Sequence, residues 1–269
     1  MVTALTERVG VAASLAAGRG FAPFGTDDPM MRPFVKFPVN HHLGQILERV
    51  VLIGAVRLHG FTLEGALFNG NEPTDAGDIG SIERFGDSWA ARATLGIAHA
   101  VELQMSHADV ESPEMPQGGG WDQRKWSVSA RAARTIRDVP VYLLAEWKRT
   151  TEVSAGTDVF SFGSVLLESA VDVRGWRPAL RLERSERPEE ERLSNPFRTH
   201  WPHGGGHVLG ITRWNIASMR IERDLDIGAM TFAPFGELSF AHVQDAVAVD
   251  VVVGDVRADS RKTSRIIRR

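Results

Sequence analysis

The fold class that this sequence predicts is all-β: an antiparallel, up-and-down transmembrane β-barrel of about 12 strands. Three observations lead there. Apolar and polar residues alternate with period two over runs of ~9–11 residues, the length of a tilted membrane-crossing strand. Connections between these runs are alternately short and long. The alternation also gathers most tryptophans in one phase and most charges in the other.

Composition sets the frame. The chain has 269 residues, 24% charged and 43% hydrophobic, which fits one folded domain rather than a disordered chain. A net charge of -3 lacks the basic excess of a nucleic-acid binder, so nucleic acid is not an expected partner. There is no cysteine, which excludes a disulfide scaffold, a thiolate metal site and a cysteine nucleophile. No apolar run reaches the ~18 residues of a membrane helix. Residues 9–18, between Arg8 and Arg19, are short, hold Gly10 and Gly18, and read as a strand rather than as the core of a signal peptide.

Strands are expected at residues 9–19, 46–58, 61–68, 88–96, 101–110, 125–133 and 139–149. Further strands are expected at 159–173, 176–185, 207–216, 227–241 and 246–256. The clearest alternation places Trp89, Ala91, Ala93 and Leu95 on one face, then Val101, Leu103 and Met105, then Trp126, Val128, Ala130 and Ala132. It is weakest over 206–216. Short breaks are expected at His59-Gly60, 96–100, 134–138 and Arg174-Gly175, and long ones at 69–87, 111–124, 150–158 and 186–205. Residues 30–44 form a long first loop with a helical turn near 43–48. The barrel occupies residues 1–256, and the basic stretch 257–269 is a mobile tail.

If the apolar phase meets lipid, the opposite phase lines the interior. It contains Arg57, Glu64, Arg92, Glu102, Arg131, Glu146, Lys148, Glu168, Asp172, Arg177, Arg181, Glu183 and Arg213. One charge on the lipid face would cost ~2–4 kcal/mol at the bilayer midplane, so the charges belong on one side. Trp89, Trp126, Trp147, Trp176 and Trp214 fall in the lipid phase, where an interfacial girdle would place them. Among the cations, Arg131, Arg177 and Arg181 are the candidates for an anion preference. A soluble β-sandwich or barrel explains the alternation equally well but the sorted loop lengths and the tryptophan phase less well.

Other constellations are weaker. His200, His203 and His207 surround a glycine run, and His41-His42 lies elsewhere, but this spacing follows no helix or hairpin that aims imidazoles at one metal. No metal or cofactor is therefore expected. No Gly-x-Ser-x-Gly occurs, so no catalytic residue is assigned, although a barrel lipid hydrolase with a triad of another pattern stays open. The charged run 186–192 is expected as a solvated loop; the sharper alternative folds it into the barrel mouth against Arg177 and Arg181. Phe21-Ala22-Pro23-Phe24-Gly25 recurs as Phe232-Ala233-Pro234-Phe235-Gly236, which by itself does not make a repeat.

Three segments carry a family resemblance: Gly18-Arg19-Gly20-Phe21-Ala22-Pro23-Phe24-Gly25, Gly65-Ala66-Leu67-Phe68-Asn69-Gly70 and Phe235-Gly236-Glu237-Leu238-Ser239-Phe240. In order and strand rhythm the chain resembles porin-like bacterial outer-membrane proteins, including phosphate-selective-porin relatives. The resemblance implies a trimeric or monomeric channel in the outer membrane, with lipid, small solutes or ions as partners. It does not extend to a phosphate site. Such proteins begin with a signal peptide and end on an aromatic residue, whereas this chain ends Ile266-Ile267-Arg268-Arg269, which fits a fragment.

Overall fold

The computed structural model describes residues 2–8, 10–26, 33–34, 48–73, 82–98, 100–190, 208–228 and 230–247. The fold is all-β. One 12-stranded antiparallel sheet contains β1 (Val2–Arg8), β2 (Val11–Phe21), β3 (Glu48–Leu58), β4 (Phe61–Phe68), β5 (Ser88–Ile97), β6 (Val101–Val110), β7 (Asp122–Ile136), β8 (Val139–Ser154), β9 (Thr157–Val171), β10 (Trp176–Glu190), β11 (Val208–Arg223) and β14 (Phe235–Val247). Each strand pairs with the next in chain order, which is the up-and-down topology. A small hairpin, β12 (Leu225–Ile227) with β13 (Met230–Phe232), sits between β11 and β14. The described helical structure is a single 3-10 turn, Ile82–Arg84.

Burial is inverted relative to a water-soluble sheet. Lys125 and Ser185 are 0% exposed, Glu168 3% and Arg181 4%, whereas Leu63, Met105 and Leu167 are 52%, 51% and 53% exposed. The polar face is therefore the concave one. Curvature is visible in the charges too: Arg49 on β3 lies in the electrostatic field of Lys125 on β7. Four strand spacings of a flat sheet would hold these two residues ~19 Å apart at the backbone. On β5 the outward residues run from Trp89 through Ala91, Ala93 and Leu95 to Ile97 without a charge. That stretch is ~27 Å along the strand, close to the ~25 Å apolar band of outer-membrane barrels.

Connections sort by end. At one end β3 and β4 are joined by His59-Gly60, β7 and β8 by Arg137-Asp138, and β9 and β10 through Asp172 to Gly175. Both Arg137 and Asp138 have positive φ (47° and 63°), as do Arg174 and Gly175, the backbone of the type I′ turn that matches strand twist. The opposite end carries the segments between β2 and β3, β4 and β5, β6 and β7, and β10 and β11.

Four expectations are corrected. β1 was not anticipated; it pairs with β2 in continuous register from Val2↔Ala17 to Arg8↔Val11. The connection expected over 150–158 is only Ala155-Gly156, because β8 and β9 continue pairing beyond the apolar band. The stretch expected as one strand over 227–241 is divided into β12, β13 and β14. The charged run is not all loop: β10 reaches Glu190, with Pro188 opposite Ile211. Proline is tolerated because β9 flanks only Ala179–Ser185, so both Pro178 and Pro188 lie where β10 has a neighbour on one side. The expected strand over 246–256, the first-loop helical turn and the tail over 257–269 lie wholly or largely outside the described residues, as do His41, His42, His200, His203 and His207.

Candidate functional site

Strand register decides which side chains share the inner face. Opposite one another across β7 to β11 stand Arg131, Leu144, Glu168, Arg181 and Ser218; one step away stand Ser129, Glu146, Leu166, Glu183 and Ile216. A further step gives Ser127, Lys148, Ser164, Ser185 and Trp214. The same phase on β3 to β6 holds Arg57, Glu64, Arg92 and Glu102. Eleven of the thirteen expected lining residues thus share one phase. Arg213 does not. It stands opposite Glu186 in the outward phase, and its Nη2 bonds Glu186 Oε1 at 2.9 Å. Trp214 is correspondingly inward rather than in the lipid girdle, opposite the buried Ser185. The phase of β11 is set farther along, by outward Met219 and Ile221 against inward Ser218 and Arg220.

Trp89, Trp126, Trp147 and Trp176 do point outward. Trp89 and Trp126 hold His107 between them, with ring centroids 5.1 and 4.2 Å from the imidazole. Asp172 lies in a turn, where its carboxylate accepts from Gly175 N at 3.1 Å.

Inner charges are organised as pairs. Arg92 grips Glu64 with Nε and Nη2 at 2.5 and 2.9 Å. Arg131 bonds Glu102, Lys148 Nζ lies 3.1 Å from Glu146 Oε1, and Arg181 Nη2 lies 2.7 Å from Glu168 Oε2. Arg177 bonds Glu222 and Asp224, and Arg220 adds Glu222 and Glu237. Several members were not anticipated: Arg49, Lys125, Glu152, Arg220, Glu222 and Glu237. Register finds two of them from the expected set, Glu152 four residues from Lys148 and Glu222 directly opposite Arg177; the others needed the strand bounds and pairings themselves.

The inner face is not uniformly polar. Val51, Ala66, Phe68, Ala90, Ala108 and Val110, from β3 to β6, form a buried apolar patch. It is covered by the chain that leaves β2. Ala22 belongs to the patch and Phe24 packs against it. Gly25 N then donates to Ser106 Oγ at 2.9 Å, Gly25 O accepts from Arg92 Nη1 at 3.2 Å, and Thr26 Oγ1 donates to Ser129 Oγ at 2.5 Å. Gly25 has φ +75°, and a Cβ there would lie 3.4 Å from Lys148 Nζ. Farther on, Phe34 is 1% exposed beneath the Arg181 guanidinium, 4.9 Å from its ring centroid. The described parts of the β2–β3 connection therefore lie in the concavity as a strap, residues 22–26 against β3 to β7 and Phe34 against β10. The second Phe-Ala-Pro-Phe-Gly segment instead joins β13 to β14 at the opposite end, so the two copies do not play one role.

No protein-family model and no curated protein sequence matches the chain. Among solved structures it is similar to Salmonella typhi OmpF in complex with daunomycin, at 12% identity and a TM-score of 0.48, over 86% of this chain and 77% of that one. Those values are too low to carry a functional argument.

Proposed function

We propose that this chain forms the wall of a porin-like outer-membrane channel for passive or weakly selective passage of small polar solutes or ions. The observation that carries this is the inverted burial: Lys125, Lys148, Glu168, Arg181 and Ser185 inside, with Leu63, Met105, Leu143 and Leu167 outside. A soluble protein would place a sheet face this apolar against a core. Because inner cations and carboxylates are paired, no single sign dominates the lumen, and the expected selectivity is modest. Transport rather than catalysis is the proposed role, with lipid and solutes as partners and a homotrimer as one assembly. A phosphate-selective lumen is not part of the proposal.

Refolding in detergent followed by electrophoresis with and without boiling tests the barrel, and planar-bilayer recording tests the channel. A heat-modifiable band with ion conductance is expected. A monodisperse protein without detergent would overturn the membrane reading; lipid hydrolysis by the refolded protein would move it to the enzyme alternative. A second reading, a non-conducting barrel, is favoured by one observation: the strap lying in the concavity.

A further inference from the structure

We propose that residues 22–26 are a releasable latch that closes the lumen by default, so that opening the channel means lifting this segment off the inner wall. This rests on the channel reading only in that the lumen conducts.

Two features argue for closure as the resting state. The patch of Val51, Ala66, Phe68, Ala90, Ala108 and Val110 faces inward, where an open lumen would wet it. Wetting an apolar patch is unfavourable, and Ala22 and Phe24 keep it dry. On its polar side the latch is bonded to the wall. Gly25 is bonded through both N and O, to Ser106 and Arg92, and Thr26 closes on Ser129.

Two features argue for release. Among the described residues the latch is held by side chains of the wall and by apolar packing, with no strand pairing, whereas β2, immediately before it, has eleven register pairs with β3. No covalent link ties the latch to the wall, since the chain has no cysteine. The partners lost on lifting are also replaceable. Ser106, Ser129 and Arg92 line a polar face on which water can take over each hydrogen bond. The latch is therefore a local unit that opens while the strands stay paired.

The cysteine-free chain permits a clean test. A108C places a thiol on the wall beneath the latch, where Ala108 is 0% exposed. Its labelling by a charged, membrane-impermeant maleimide reports latch opening without requiring conduction. F24D and, separately, S106A with S129A are the releasing variants; T26C with S129C is the oxidisable lock. Each is first shown to be folded by heat-modifiable migration.

The expected result is labelling of A108C that rises roughly tenfold or more in either releasing background, as loss of one or two buried hydrogen bonds implies. Conductance should rise with it, and the oxidised lock should stay closed until reductant is added. Equal labelling rates in folded parent and releasing variants would overturn the latch, as would an oxidised lock that conducts like the releasing variants. Faster labelling with no conductance in any variant would support the latch and overturn the channel reading.

Discussion

Arg181 and Glu168 face each other across β10 and β9 with Nη2 and Oε2 2.7 Å apart, and their side chains are 5% and 0% exposed. Removing one partner of such a buried pair takes away the nearest counter-charge of the other. Glu168→Ala should therefore cost about 3–5 kcal/mol, whereas replacing both with Met and Leu should be neutral or stabilising. The midpoint of urea unfolding in detergent, followed by tryptophan fluorescence, gives the double-mutant cycle. A loss in the double variant equal to the sum of the losses in the Arg181 and Glu168 single variants would mean that the pair contributes nothing as a pair.

Neutralising less buried inner cations should change ion preference rather than stability. Arg131 and Arg177 bond Glu102 and Glu222. R131Q with R177Q removes two inner positive charges, leaving Glu102 without its arginine while Glu222 keeps Arg220, so the reversal potential in a salt gradient should move towards that of a cation-selective pore. An unchanged reversal potential would remove both arginines from the conduction path.

The tryptophan assignments separate sharply. Trp147 is 41% exposed on the outward face, whereas Trp214 shares the inner phase with Ser185. In variants keeping one of these two as the only tryptophan, brominated lipid should quench Trp147 strongly and Trp214 weakly. Comparable quenching would restore Trp214 to the girdle and reverse the phase of β11.

The turn Arg137-Asp138 holds two non-glycine residues at positive φ. R137N with D138G supplies the residues that a type I′ turn favours and should stabilise the β7–β8 hairpin by about 0.5–1 kcal/mol. Thermal loss of the fast-migrating form measures it. A lower midpoint would show that these side chains make contacts that outweigh the backbone strain.

Much of the wall was legible in the sequence because one physical rule writes it. Where the outer face must be apolar and the inner face polar, as from Trp89 to Leu95 or Val141 to Trp147, period two appears directly. Strands at residues 61–68 and 101–110 were located to the residue. The rule fails where either face changes chemistry. Phe68, Val51 and Ala108 turn inward to meet the latch, and β11 has Trp214 and Ile216 inward with Arg213 outward, so its first half shows no clean phase. β10 was expected over 176–185, and its continuation to Glu190 hides behind Pro188, which a one-sided strand tolerates. The latch itself was not legible: Ala22 to Thr26 has no periodicity, and its position depends on Ser106 and Ser129, residues 81 and 103 positions away.

The central claim is that alternate residues of one strand meet lipid and the polar interior. Single cysteines along β7 at Ser127, Val128, Ser129, Ala130, Arg131 and Ala132, each carrying a spin label in reconstituted vesicles, test it most directly. Val128, Ala130 and Ala132 should be accessible to oxygen, which partitions into lipid, and Ser127, Ser129 and Arg131 should not. A two-residue period in that phase is what the inverted sheet predicts. No period, or high access to a water-soluble nickel reagent at Val128 and Ala130, would contradict it.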